Sequence, residues 1–135
     1  MELAPAVTAR LVELASRARL KAHAPYSRFL VGAAVLTEDG RIFVGANVEN
    51  ASYGLSVCAE RNAIAAAVTA GYRRLVAVAV VTESSPPAMP CGACRQVILE
   101  FGDCTVICAN LSGEIARFRA EELLPAAFTP ADLQS

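Results

Sequence analysis

The amino-acid sequence predicts a three-layer α/β/α domain over residues 1–135, built on a mixed five-stranded sheet. Three observations predict this class. A strong turn joins two short apolar strands, two helical segments alternate with almost wholly apolar strands, and a final strand pair follows. A hairpin followed by two crossovers through helices implies helices on both faces of the sheet.

The first half of the chain contains a helix and the hairpin. A proline near the N-terminus suits a helix start, and apolar residues recur after it at helical spacing, which predicts a helix over 5–22. Asp39-Gly40 is a strong hairpin turn, and it joins predicted strands over 31–37 and 41–45. Residues 46–57 have no clean period and are expected to form an ordered loop.

The second half alternates helices with strands. Two helices, each ended by a glycine, are predicted over 58–70 and 91–101. The apolar run 75–82 suits a strand covered on both faces. Two further strands and a short helix complete the chain, over residues 104–109, 114–119 and 121–124.

The charge and the apolar pattern of the chain argue against a nucleic-acid-binding protein and against a membrane-spanning one. The net charge is −1 and no basic stripe is present, which argues against a partner bound through nucleic-acid phosphates. No apolar run reaches the roughly 18 residues that a membrane span needs, because Arg73 and Arg74 interrupt the best candidate. The N-terminus also lacks the pattern of a signal peptide. We therefore expect a cytoplasmic protein.

Two further numbers bear on cellular location and assembly. Five cysteines is an odd count, which suits thiolate chemistry in a reducing compartment better than a disulfide framework. A hydrophobic content of 55% is high for a small chain and suggests that extra surface is buried against copies of itself.

Three cysteines carry the main chemical signal. Cys58 opens one predicted helix, and Cys91 and Cys94 open another at i, i+3 spacing, which places both on one side of the first turn. Soft thiolate ligands favour Zn²⁺. Three protein ligands leave one coordination position for water, which is typical of a catalytic zinc site rather than a structural one.

Two charged residues follow Cys58. Glu60 is the candidate to exchange protons with a zinc-bound water, although an acidic residue in a first turn can also simply complement the helix dipole. Arg61 could offset the excess negative charge of three thiolates, or it could be a solvated surface arginine.

A structural zinc site with four cysteine ligands is the alternative, with Cys104 or Cys108 as the fourth ligand. Structural sites usually combine two CxxC pairs, and Cys58 has no such partner. Cys104 and Cys108 are spaced to face one side of a strand, where buried free cysteines are common. His23 is the sole histidine and is expected at the surface.

These motifs resemble the small homotetrameric, three-cysteine zinc cytidine deaminases. The resemblance covers nearly the whole chain, and together its motifs are highly specific. They are Ala24-Pro25-Tyr26-Ser27-Arg28-Phe29, Asn47-Val48-Glu49-Asn50-Ala51, Cys58-Ala59-Glu60-Arg61, Pro90-Cys91-Gly92-Ala93-Cys94-Arg95-Gln96 and Glu122-Leu123-Leu124-Pro125.

The resemblance implies a cytidine deaminase-like fold and one Zn²⁺ per chain. It implies hydrolytic deamination of free cytidine and 2′-deoxycytidine to uridine and 2′-deoxyuridine with release of ammonia, in pyrimidine salvage. Glu60 would be the catalytic residue, with Arg61 beside the thiolates. No organic cofactor, nucleic acid or membrane is implied.

The resemblance also implies the substrate contacts. Asn47 and Glu49 would hydrogen-bond the ribose hydroxyls, Phe29 would pack near the base, and the backbone of Ala59 would help read the pyrimidine edge. A neighbouring subunit would contribute two further residues to each pocket, Tyr53 and Phe128. The alternative readings are a turn for Asn47 and Glu49 and core packing for the three aromatic residues.

Two other functions are left open by the sequence. One is a deaminase of a cytosine-nucleoside antibiotic, similar to blasticidin-S deaminase, which would share the zinc motifs but need not keep Phe29, Asn47 and Glu49. The other is a non-enzymatic binding domain stabilised by zinc, against which Glu60 argues. One departure from the family pattern is Ala46, where many relatives have cysteine.

Overall fold

The computed structural model describes residues 3–133, and a mixed five-stranded sheet lies at its centre. The strands follow the order β2-β1-β3-β4-β5. β3 and β4 are parallel, and the other neighbouring pairs are antiparallel, which confirms the predicted mixed sheet. The strand bounds are β1 (Gly32–Thr37), β2 (Ile42–Ala46), β3 (Leu75–Thr82), β4 (Thr105–Asn110) and β5 (Ile115–Arg119).

Helices flank both faces of this sheet. Two apolar clusters, one on each face, form because successive strand side chains point to opposite sides. On β1, Ala34 packs in the cluster with the first helix, whereas Ala33 and Val35 pack in the cluster with the second and third. Within the described residues the helices are α1 (Pro5–Arg19), α2 (Ala59–Thr69), α3 (Gly92–Glu100) and α4 (Ala120–Leu123).

The predicted and observed bounds agree to within a few residues, and the largest difference is the end of α1. The helix ends at Arg19 rather than at residue 22. The backbone N–H groups of Lys21 and Ala22 bond to carbonyls three residues back, so the last turn tightens. Pro25 follows, and a proline disfavours helical backbone in the residue before it. Two short 3₁₀ turns, Tyr53–Leu55 and Pro130–Leu133, were not predicted.

A close backbone approach fixes α2 against the end of β2. A Cβ atom at Gly45 would lie 2.5 Å from the backbone nitrogen of Ala63 and 2.7 Å from the carbonyl oxygen of Ala59. The Asn62 side-chain amide also donates a 2.8 Å hydrogen bond to the Ala46 carbonyl. These contacts hold the segment after β2 beside the first turn of α2.

No helix within residues 3–133 combines the length and apolar character needed to cross a lipid bilayer.

Candidate active site

Two helix N-termini bring the three predicted cysteines together. Cys58 is the N-cap residue of α2, Cys91 is the N-cap residue of α3, and Cys94 lies in the first turn of α3. Neither cap side chain hydrogen-bonds to its own helix, so both sulfurs are available as ligands. The free N–H groups and the partial positive charge of both helix ends favour thiolates at this point.

The spacing of the sulfur atoms fits a Zn²⁺ ion. The three Sγ atoms all lie within 4.8 Å of one another, and those of Cys58 and Cys91 are 3.7 Å apart. Two thiolates bound tetrahedrally at a Zn–S distance of 2.3 Å would be separated by roughly 3.8 Å. The donor set and its spacing therefore match a three-cysteine site with one open position. Cys104 and Cys108 are buried in the apolar core, outside this cluster.

The sulfur cluster has an unusual protonation equilibrium. The pKa of Cys58 is lowered to about 6, chiefly by a hydrogen bond with Cys94 and also by Cys91 and Arg61. The same bond and burial raise the pKa of Cys94. Three thiols this close cannot all ionise without a compensating cation, whereas a thiol that coordinates a metal is deprotonated outright.

Glu60 lies beside the cluster and is 4% exposed. The pKa of this carboxyl is raised to about 7, chiefly by burial and also by the nearby charge of Cys58. A group with a pKa near neutrality can both accept and donate a proton, which is the property required of a general acid–base residue. The cap position of Cys58 is what lets residues 58 and 60 face the same region, because ordinary helical spacing would separate them.

Arg61 also lies next to the cluster. Its charge and a side-chain hydrogen bond both help to lower the pKa of Cys58, and its side chain is partly buried. The structure thus places Arg61 beside a thiolate rather than in bulk solvent.

A cavity of about 280 Å³ opens over Glu60 and two of the cysteines. Sequence reasoning predicted seven of its lining residues: Phe29, Asn47, Glu49, Cys58, Ala59, Glu60 and Cys91. It missed six others, which are Ser27, Val31, Val80, Thr82, Ala88 and Met89. Val80 and Thr82 lie on β3, so the end of the central strand forms part of the cavity.

Asn47 and Glu49 line this cavity, and protein groups already use half of the hydrogen-bonding capacity of Asn47 and most of that of Glu49. The Asn47 amide accepts from the Val31 N–H at 2.9 Å and donates to the Phe29 carbonyl at 2.8 Å. An amide NH₂ has two donors, so one N–H of Asn47 remains. Glu49 Oε1 accepts the backbone N–H groups of Tyr26 and Ser27, and Oε2 accepts the Ser27 hydroxyl. These bonds, that of Ser27 first, hold the pKa of Glu49 below its ordinary value.

The loop between β3 and α3 forms one wall of the cavity and is held at both ends. Asn110, buried at the end of β4, donates from its side chain to the Ser84 carbonyl at 3.0 Å. Arg95 donates to the carbonyl of Pro90 at 2.8 Å and to that of Leu123 at 3.1 Å. Hydrogen bonds therefore hold the loop at Ser84 and at Pro90, on either side of Ala88 and Met89.

Tyr53 and Phe128 do not reach this cavity within the chain. Tyr53 is 73% exposed and meets the Tyr26 ring edge-on at a centroid distance of 5.8 Å. Phe128 is 57% exposed, and its carbonyl accepts a hydrogen bond from Gln96. Both rings are exposed, so neither fits the alternative of core packing. His23 is exposed, as expected.

Comparisons with known proteins point to one family. The family model described as the cytidine and deoxycytidylate deaminase zinc-binding region matches residues 6–110. The cytidine deaminase of Halalkalibacterium halodurans is 51% identical over 125 residues, which cover 91% of this chain and 95% of that protein. The cytidine deaminase of Sporosarcina psychrophila is 48% identical, over 92% of this chain and 93% of its own.

Solved structures agree with the fold. The crystal structure of cytidine deaminase from Burkholderia pseudomallei superposes with a TM-score of 0.87 at 52% identity, covering 89% of this chain and 98% of that one.

Proposed function

This chain belongs to the cytidine and deoxycytidylate deaminase family, and we propose that it is a zinc-dependent enzyme that deaminates free cytidine and 2′-deoxycytidine. The products are uridine or 2′-deoxyuridine and ammonia. The observation that carries the proposal is a buried glutamate, Glu60, beside a three-thiolate cluster at one side of a cavity sized for a small ligand.

Cys58, Cys91 and Cys94 would hold one Zn²⁺ per chain. When bound, the ion lowers the pKa of a water molecule toward about 7 and so supplies a nucleophile at neutral pH. Arg61 offsets part of the negative charge of the three thiolates, which would otherwise oppose that acidification.

Glu60 performs the proton transfers. Its carboxylate takes a proton from the attacking water and delivers it to ring N3, so that C4 of the cytosine becomes susceptible to addition. The oxygen of that water adds to C4 and forms a new C–O bond. The same carboxylate then takes the second proton from the new hydroxyl and passes it to the amino group, so that the C4–N bond breaks and ammonia leaves as the C4 carbonyl forms. Burial raises the pKa of this carboxyl, and the charge of a bound Zn²⁺ would act in the opposite direction.

Phe29 and Ala59 orient the base. Both residues line the cavity, and Ala59 begins α2, where backbone N–H groups have no partner within the helix. These groups can hydrogen-bond the pyrimidine edge while the Phe29 ring packs near it.

Asn47 and Glu49 select a sugar hydroxyl. Among residues 3–133, one N–H of Asn47 has no partner, and Ser27 is the only protein donor to Glu49 Oε2, which therefore retains acceptor capacity. A hydroxyl can satisfy both, because it accepts one hydrogen bond and donates another. A phosphate at the same position would bring a second anion against the carboxylate and would leave the remaining lone pair of Oε2 without a donor.

We further propose that the free nucleoside, and not a nucleotide within a strand, is the substrate. The net charge of −1 provides no phosphate-binding track. The free cysteines and the salvage chemistry are consistent with a cytoplasmic location.

Ammonia release from purified zinc-loaded protein tests this function. Cytidine and 2′-deoxycytidine should be deaminated, whereas 3′-CMP and a single-stranded oligonucleotide with a central cytosine should be nearly inert. Comparable kcat/KM on the oligonucleotide and on cytidine would overturn the nucleoside assignment. Turnover of blasticidin S without turnover of cytidine would favour an antibiotic deaminase, and no turnover at all would favour a binding domain.

The active form is proposed to be a homotetramer in which Tyr53 and Phe128 enter the pocket of a neighbouring subunit. The support is that both aromatic rings are exposed and lie outside their own chain's cavity. Sedimentation of the active protein should give a tetramer, and a fully active monomer would contradict this assembly.

A further inference from the structure

Ser27 lines the cavity together with Phe29 and Glu49, the residues proposed to contact the base and the sugar. Its hydroxyl donates to Glu49 Oε2 and accepts from the Phe29 N–H at 3.0 Å. A serine hydroxyl has a single proton, and the Phe29 N–H requires a lone pair, so that proton goes to Glu49. We propose that Ser27 is a positioning residue that orients the Glu49 carboxylate and thereby sets the preference for a free 3′-hydroxyl.

Glu49 needs such a residue because its two oxygens are held differently. Oε1 accepts two backbone N–H groups, from Tyr26 at 3.0 Å and from Ser27 at 3.1 Å. Both bonds would survive loss of the Ser27 side chain. Oε2 is held by the Ser27 hydroxyl. Without that hydroxyl the carboxylate can turn about its Oε1 anchor, and its remaining lone pair loses a fixed direction.

The backbone around Ser27 is shaped for this contact. Arg28 has a φ of 60°, in the left-handed region that non-glycine residues seldom adopt. Its N–H bonds to the Ala24 carbonyl at 2.9 Å, which stabilises the bend. The bend turns the Phe29 N–H back onto the Ser27 oxygen. Strained residues of this kind cluster at ligand-binding sites.

The simpler reading is a local turn. A serine oxygen that accepts the N–H two residues later is a common turn motif, and it would explain the contact with Phe29. It does not explain the contact with Glu49, which is 22 residues away in sequence and lines the same cavity. The two interpretations make different predictions. If Ser27 positions Glu49, the effect of losing its hydroxyl depends on the 3′-hydroxyl of the substrate, and if Ser27 only forms a local turn, the effect does not.

The test rests on the proposed function and compares cytidine with 3′-deoxycytidine, which lacks that hydroxyl. In Ser27→Ala, kcat/KM for cytidine should fall roughly tenfold or more, mainly through KM, because a hydrogen bond to a charged group is lost. The same variant should lose far less on 3′-deoxycytidine. Ser27→Thr, which keeps a hydroxyl, should restore the preference for cytidine.

Ser52→Ala is the matched control, since Ser52 is an exposed loop serine that does not line the cavity. It should behave as the unmodified protein with both substrates. Equal losses on the two substrates in Ser27→Ala would overturn the inference and leave only the local turn. If the unmodified protein deaminated neither cytidine nor 3′-deoxycytidine, the proposed function and this inference would both be overturned.

Discussion

Replacement of Gly45 by alanine should disturb both stability and catalysis, because the added methyl group has no space. The new Cβ atom would lie 2.5 Å from the nitrogen of Ala63, 2.7 Å from the carbonyl oxygen of Ala59 and 3.0 Å from the Ala63 Cα. All three are backbone atoms of α2. No side-chain rotation can relieve such contacts, so the helix itself must move.

The size of the effect follows from these distances. Ordinary contacts between carbon atoms are about 3.5–4.0 Å, so α2 must retreat by about 1 Å. Overpacking of this kind costs about 1–3 kcal/mol of unfolding free energy, and the reduced freedom of the unfolded chain returns about 0.4–1 kcal/mol of it. Each remaining kcal/mol lowers the melting temperature by roughly 2–8 °C for a domain near this size.

Catalysis should suffer as well. α2 carries Glu60 and follows Cys58, whereas β2 leads into Asn47, so a retreating helix separates the reacting groups from the sugar contacts. A misplacement of about 1 Å can cost roughly 100-fold in rate. The measurements are thermal unfolding at fixed zinc and protein concentration, and kcat/KM for cytidine.

Gly54→Ala provides the control. Nothing lies within 4 Å of a Cβ at Gly54, so this variant should keep the original melting temperature and activity. If Gly45→Ala matched the unmodified protein in both measurements, the close approach of β2 and α2 would be refuted.

Three further outcomes test the site itself. Cys104→Ala and Cys108→Ala should each keep one zinc per chain by metal analysis, because both residues lie in the apolar core, and zinc loss in either would indicate a fourth cysteine ligand. Glu60→Ala should keep zinc yet lower kcat by about 10²–10⁴-fold or more, and near-normal turnover would remove it from the mechanism. Arg61→Gln should weaken turnover or zinc retention by roughly 10–100-fold, and no change in either would show that its charge does not act on the thiolates.

The sequence was sufficient to predict the sulfur cluster because its members occupy short, local motifs. Cys58, Cys91 and Cys94 each lie at or near the start of a helix, and a helix start can be recognised from a few neighbouring residues. Glu60 could be predicted as well, because it lies only two residues after Cys58 in the same motif. The strand segment 75–82 was predicted at its observed bounds because it is apolar on both faces.

Other parts of the site depend on contacts that no local pattern encodes. The sequence around Thr82 indicates only the end of a strand. Its place in the cavity follows from the order and register of the strands in the sheet. Ser27 and Glu49 meet across 22 residues of sequence. Such contacts depend on how the loops fold over the edge of the sheet. The hydrophobic periodicity of the sequence carries no information about that folding.

The central position of β3 also has a consequence for native-state hydrogen exchange. β3 is paired on both sides, and its residues 77–82 are buried, so its amides are expected to exchange only through global unfolding. The loops that contribute Phe29 and Met89 lack this double pairing, and they can open through local fluctuations. The cavity is therefore lined partly by a strand that is expected to open only with the whole domain and partly by loops that can open separately.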